Sequence, residues 1–143
     1  MQTDPVQTNL DARYRRLLIL WFAMSMSVLL LYLLFVQLAT AEVNPNPKLS
    51  SVLNTLGLVP VAFSFLFKQR ILDRSVEEQR VDLVQVAYVV SFAFCEVPAL
   101  LGLVDHLVTG SKYYIVGFSI AGLGILLHFP LKKNLIAASY KQF

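Results

Sequence analysis

Long apolar stretches alternate with short polar clusters along the whole chain. From Leu17 to Ala39 the only polar interruptions are Ser25, Ser27 and Gln37, which exceeds the roughly 20 residues an α-helix needs to cross about 30 Å of hydrocarbon. A second stretch, about Leu49 to Phe67, carries Asn54, Thr55, Gly57, Pro60 and Ser64. It is the least hydrophobic of the set and is expected to be shielded from lipid by its neighbours. The third, about Leu83 to Val104, contains Gln85, Glu96 and Pro98, and the fourth, about Tyr113 to Leu131, contains Gly117, Gly122, Gly124 and His128. None alternates apolar with polar residues, whereas a membrane barrel needs many alternating segments of about 10 residues. The pattern predicts an all-α integral membrane protein, a four-helix transmembrane bundle in which residues 1–143 form one domain with spans 17–39, 49–67, 83–104 and 113–131.

Composition sharpens this. Of 143 residues 57% are hydrophobic and 15% charged, against roughly 25% charged in soluble domains, so a water-soluble fold is disfavoured. Ten of the twelve Lys and Arg lie in the N-terminal tail, the loop between spans two and three, and the C-terminal tail; only Lys48 and Lys112 lie in the other two loops. The positive-inside rule then puts both termini and the middle loop in the cytoplasm, which an even number of spans permits. Ala39-Thr40-Ala41 after the first apolar run resembles a signal-peptidase site, but the run is longer than the roughly 7–15 residues of a signal core. An uncleaved first span is the expectation, with cleavage the alternative.

The connections carry local chemistry. Asn44-Pro45-Asn46-Pro47 cannot continue a helix, because proline lacks an N–H and pushes the preceding residue toward extended geometry. Ser75-Val76-Glu77-Glu78 matches the S-x-x-E capping box, predicting that the third helix starts near Val76. Arg74 with Glu78 and Glu77 with Arg80 are spaced for surface pairs. Gly117 and Ala121 form a small-xxx-small pair suited to close helix packing, while Pro60 and Pro98 predict kinks. His106 and His128 are expected to anchor helix ends, and Trp21, Tyr113 and Tyr114 to sit in interfacial aromatic belts. The single cysteine, Cys95, excludes an intramolecular disulfide and multi-cysteine metal motifs. No phosphate-cradling loop, metal-ligand spacing or nucleophile–base motif is present. Neither an enzyme, a metal, a cofactor nor a nucleic-acid partner is therefore expected.

Glu96 is the exception to this bland picture. It stands 14 residues after Asp82 and eight before Val104, about 21 Å and 12 Å along a helix. An acid at that depth costs about 2.5–3.5 kcal/mol on insertion scales and ordinarily faces a bundle interior or a watery cavity. An interior position near Ala93, Ala99 and Leu100 is expected. There the acid would be protonated and able either to handle a proton or cation, or to brace the Phe94 carbonyl that Pro98 leaves free.

Phe94-Cys95-Glu96-Val97-Pro98-Ala99-Leu100-Leu101-Gly102-Leu103-Val104 resembles the carboxylate-bearing helix of rotary ATPase c subunits and proteolipids, and also the acidic helix of small uncharacterised bacterial four-span membrane proteins. The resemblance implies a proton- or cation-binding role for Glu96 and a multi-pass protein of the bacterial inner membrane. Two functions follow as expectations: a small ion-handling transport component, or a non-catalytic accessory subunit of a larger complex. The implied partners are the bilayer and either further copies or other membrane subunits.

Overall fold

The structure is a computed structural model that describes residues 5–38 and 46–139, with side chains for residues 9–37 and 46–139. Five helices follow in order: α1 Pro5–Leu38, α2 Pro47–Glu77, α3 Val81–Thr109, α4 Tyr114–Leu127 and α5 Lys132–Ser139. No strand occurs among the described residues. The first three helices are long and apolar enough to cross a membrane, and α4 with α5 also qualifies as a pair bent by 47°. The Ala39-Thr40-Ala41 motif and Asn44-Pro45 lie outside the described residues. Asn46 does cap α2, its side-chain oxygen accepting from Leu49 N at 3.2 Å, with Pro47 in the first turn.

An antiparallel α2–α3 hairpin forms the centre, and a seven-residue repeat sets its register. Ser50, Gly57 and Ser64 are the buried residues along the apolar length of α2, and they meet Asp105, Pro98 and Ser91 of α3. Ser50 Oγ donates to Asp105 Oδ1 at 2.7 Å, a Cβ on Gly57 would stand 3.3 Å from Pro98 Cβ, and Ser91 Oγ donates to Ser64 O at 3.4 Å. Each seven-residue step up one helix is a seven-residue step down the other, the repeat that keeps a seam facing its partner in left-handed packing. Small side chains along both helices let the backbones approach closely.

The α3–α4 contact repeats the device. Gly102 lies on Gly117 and Cys95 on Gly124, again seven apart. A Cβ on Gly117 would come 2.5 Å from the Pro98 carbonyl oxygen and 3.0 Å from Gly102 Cα, so a hydrogen of Gly117 points at that oxygen, a weak Cα–H contact typical of close helix pairs. Ala121 is fully buried in the same helix. Helix α1 leans on α4: Trp21 Nε1 donates to Ile125 O at 3.0 Å, and Phe35 stacks edge-on against His106 and Tyr114. Tyr113 is exposed, Trp21 is half-buried and Tyr114 is buried.

Two expected boundaries are corrected. Helix α2 continues through Ser75 to Glu77, so Ser75 does not cap α3. Its hydroxyl donates back to Leu72 O at 2.6 Å and its carbonyl accepts from Arg80 N at 3.0 Å. The break falls at Glu78–Arg80, where Gln79 takes a left-handed φ of 55°, a conformation long side chains rarely adopt. Arg74 pairs with Glu78 as expected, but Arg80 pairs with Asp82 and Glu78 and not with Glu77.

The fourth span is not one continuous helix. Helix α4 has 14 residues, about 21 Å, and ends before Pro130, which cannot donate a helical hydrogen bond and disfavours helical geometry at Phe129. The His128 amide turns back to Ile125 O at 3.1 Å, which frees Gly124 O to accept from His128 Nδ1 at 2.7 Å.

Candidate functional site

Three polar groups lie along α3 within the apolar body, and they differ in what satisfies them. Glu96 lies one residue off the buried stripe that runs through Tyr88, Ser91, Cys95, Pro98, Gly102 and Asp105. It is half-buried at the stripe's edge rather than enclosed. Of its one-turn neighbours Phe92 and Ala99 are buried, whereas Ala93 is exposed and Leu100 is 51% exposed. Among the described residues its carboxyl makes no hydrogen bond or ion pair, and the expected brace to the Phe94 carbonyl does not form. Pro98, two residues on, is buried against Gly57. Pro60 lies inside α2 and is half-buried.

The second group is sealed. Ser64 and His128 are both fully buried. Ser64 Oγ donates to Val61 O at 2.6 Å and lies 3.2 Å from His128 Nε2, while Cys95 Sγ is 3.6 Å from Ser64 Oγ and 3.8 Å from His128 Nδ1. A hydroxyl beside an imidazole is the arrangement of an activated nucleophile. Here the ring faces a neighbouring helix instead of a substrate-sized space. With Nδ1–H committed to Gly124 O, its effect is to tie the end of α4 to the middle of the α2–α3 hairpin. Below it, Lys68 Nζ sits 4.5 Å over the ring of Tyr88, whose hydroxyl accepts from Leu131 N and Asn134 Nδ2 at 3.0 and 2.8 Å.

The third group was not singled out from the sequence. Asp105 reads as the residue just beyond the third span, but α3 runs on to Thr109 and buries Asp105 completely. Its Oδ1 accepts from Ser50 Oγ at 2.7 Å and lies 3.0 Å from Thr109 Oγ1, whose hydroxyl donates to the Asp105 backbone carbonyl at 2.7 Å, and its Oδ2 accepts from Asn54 Nδ2 at 3.4 Å. Thr109 Oγ1 also accepts from Ser111 N at 3.1 Å, which joins the group to the chain reversal after Gly110, a left-handed cap at φ 65°. No Lys or Arg forms an ion pair with Asp105 among the described residues. Beside the group, Pro47, Ser51, Asn54, Thr55 and Leu58 of α2 face Tyr113, Val116 and Ile120 across an open cleft of about 410 Å³. The pattern that would have revealed Asp105 is the seven-residue spacing of Ser91, Pro98 and Asp105, matched by Ser50, Gly57 and Ser64.

Among the described residues no three His, Cys, Asp or Glu side chains converge as metal ligands. At Asp105 the carboxylate meets the hydroxyl oxygens of Ser50 and Thr109 and the amide nitrogen of Asn54, and its oxygens are hard ligands. No family model, no curated protein and no solved structure matches the chain.

Proposed function

We propose that the chain is a four-span membrane protein, termini and middle loop cytoplasmic, that serves as a non-catalytic subunit docking other membrane subunits or further copies through the α3 edge bearing Glu96. The observation that carries this is the unsatisfied carboxyl. An acid within an apolar span needs a hydrogen-bond partner, and the described residues of its own chain provide none. A group from a neighbouring chain is the natural complement. The bacterial inner membrane is the compartment that the resemblance of the Glu96 helix suggests.

A proton- or cation-handling role for Glu96 is the second reading, favoured by the same free carboxyl, which no intramolecular donor ties down. Glu96→Gln and Glu96→Leu separate the two. Glutamine retains hydrogen bonding without titrating, so copurification of the native partner or oligomer from membranes should survive Glu96→Gln and be lost in Glu96→Leu. Recovery of the same assembly from Glu96→Leu would overturn the docking reading. Intact assembly with loss of ion flux in Glu96→Gln would select ion handling.

A further inference from the structure

We propose that the outer end of the α2–α3 seam binds one small monovalent cation of the sodium class, held by Asp105 with oxygen atoms of Ser50, Asn54 and Thr109. Two independent features lead there. Asp105 is completely buried and has no cationic side chain in ion-pair range among the described residues, although buried carboxylates are ordinarily paired or bound to a metal ion. Asn54 Oδ1 is the one buried side-chain oxygen or nitrogen in the described residues without a hydrogen-bond partner. Reversing the amide does not cure this, because Nδ2 donates to Ser50 O at 2.9 Å and a carbonyl oxygen there would face another acceptor. Among the described residues Asp105 thus has hydrogen-bond donors but no cation beside it, and the Asn54 amide oxygen has no donor.

The remaining donors fit the same ligand. Ser50 Oγ points its hydrogen at the Asp105 carboxylate and keeps its lone pairs free, while Thr109 Oγ1, which donates to the Asp105 backbone carbonyl at 2.7 Å and accepts from Ser111 N, keeps one; the two oxygens lie 3.4 Å apart. An all-oxygen set selects a hard cation. A single carboxylate among neutral oxygens balances one positive charge, so a divalent ion would leave buried charge uncompensated. Access is short: Asn54 also lines the 410 Å³ cleft between α2 and α4, beside the hydroxyl residues Ser51 and Thr55. This site is separate from Glu96 and does not depend on the docking reading.

The test uses the full-length protein in detergent micelles, with sodium chloride replaced stepwise by choline chloride at constant ionic strength. Sodium should raise the melting temperature along a saturating curve. Asp105→Asn should abolish that rise, Asn54→Leu should raise the half-saturating sodium concentration about tenfold or more, and Glu96→Gln should leave it unchanged. Should Asp105→Asn fail to fold, radioactive sodium binding to the wild-type chain decides. One equivalent per chain, displaced by unlabelled sodium and lithium but not choline, supports the site, and absence of binding overturns it. Identical melting in sodium and choline overturns it too.

Discussion

At the scale of single residues, the helices are held apart or allowed together by a few atoms. Gly117 and Gly122 have the same chemistry and opposite surroundings. A Cβ at Gly117 meets the α3 backbone at Pro98 and Gly102, whereas one at Gly122 finds nothing within 4 Å. Backbone cannot rotate away as a side chain can, so Gly117→Ala should cost about 1–3 kcal/mol, the range of overpacked cores, and Gly122→Ala should be close to neutral. Melting in detergent distinguishes them, and equal behaviour would contradict the close α3–α4 approach. The two span acids differ in a similar way. Glu96 is half-exposed on the outer surface and Asp105 is completely enclosed. A hydrophobic carbodiimide dissolved in the membrane should therefore label Glu96 and spare Asp105, and the label should disappear in Glu96→Gln. Mass spectrometry showing the adduct on Asp105 would refute that difference in access.

At the scale of helices, the decisive feature is register. The α2–α3 seam pairs Ser64 with Ser91 and with Cys95 one turn on. Ser64 Oγ lies 3.6 Å from Cys95 Sγ, so a thiol at position 64 should reach disulfide distance with small adjustments. Ser64→Cys treated with an apolar oxidant should lose both free thiols, while Ser51→Cys, on the exposed side of α2, should keep them. Retention of both thiols in Ser64→Cys would contradict the register.

Much of this level was legible in the sequence. Apolar length revealed the three long helices, because that length answers directly to the thickness of the hydrocarbon. The helix ends were harder. Ser75 satisfies a capping box in sequence, but it is buried in the last turns of α2, and the break is fixed instead by the left-handed Gln79 and the Arg80 pairs with Glu78 and Asp82. The fourth apolar run hid a bend, since Phe129 and Leu131 are as apolar as any helical residue and only Pro130 marks the interruption. Asp105 was overlooked for a related reason. Hydropathy ends the span at the first charge, whereas the helix ends at Gly110, where a left-handed cap is available.

At the scale of the whole molecule, the basic clusters converge. Lys132 at the start of α5 pairs with Asp11 near the start of α1, and Leu131 and Asn134 bond the hydroxyl of Tyr88 in the early turns of α3. The beginnings of α1, α3 and α5 and the end of α2 thus share one end of the bundle, with Arg13, Arg15, Arg16, Lys68, Arg70, Arg74, Lys132 and Lys133. The opposite end holds Asn46, the Asp105 group and the Gly110 turn, with Lys48 and Lys112 nearby in sequence. Helix α4 starts at that opposite end, and the bend after it brings the chain to the basic end, where α5 begins, so α4 and the turn through Pro130 traverse the bundle. With charge gathered so unequally, the basic end should be cytoplasmic. A reporter active only in the cytoplasm should function when fused after Phe143 or inserted at Gln79, in the break between α2 and α3. The same reporter should fail when inserted at Asn46 or Ser111. Activity at Asn46 and Ser111 would invert the orientation. Activity at Gln79 but at neither Ser111 nor Phe143 would mean that the bent α4–α5 pair fails to carry the chain through, leaving the C-terminus on the far side from the middle loop.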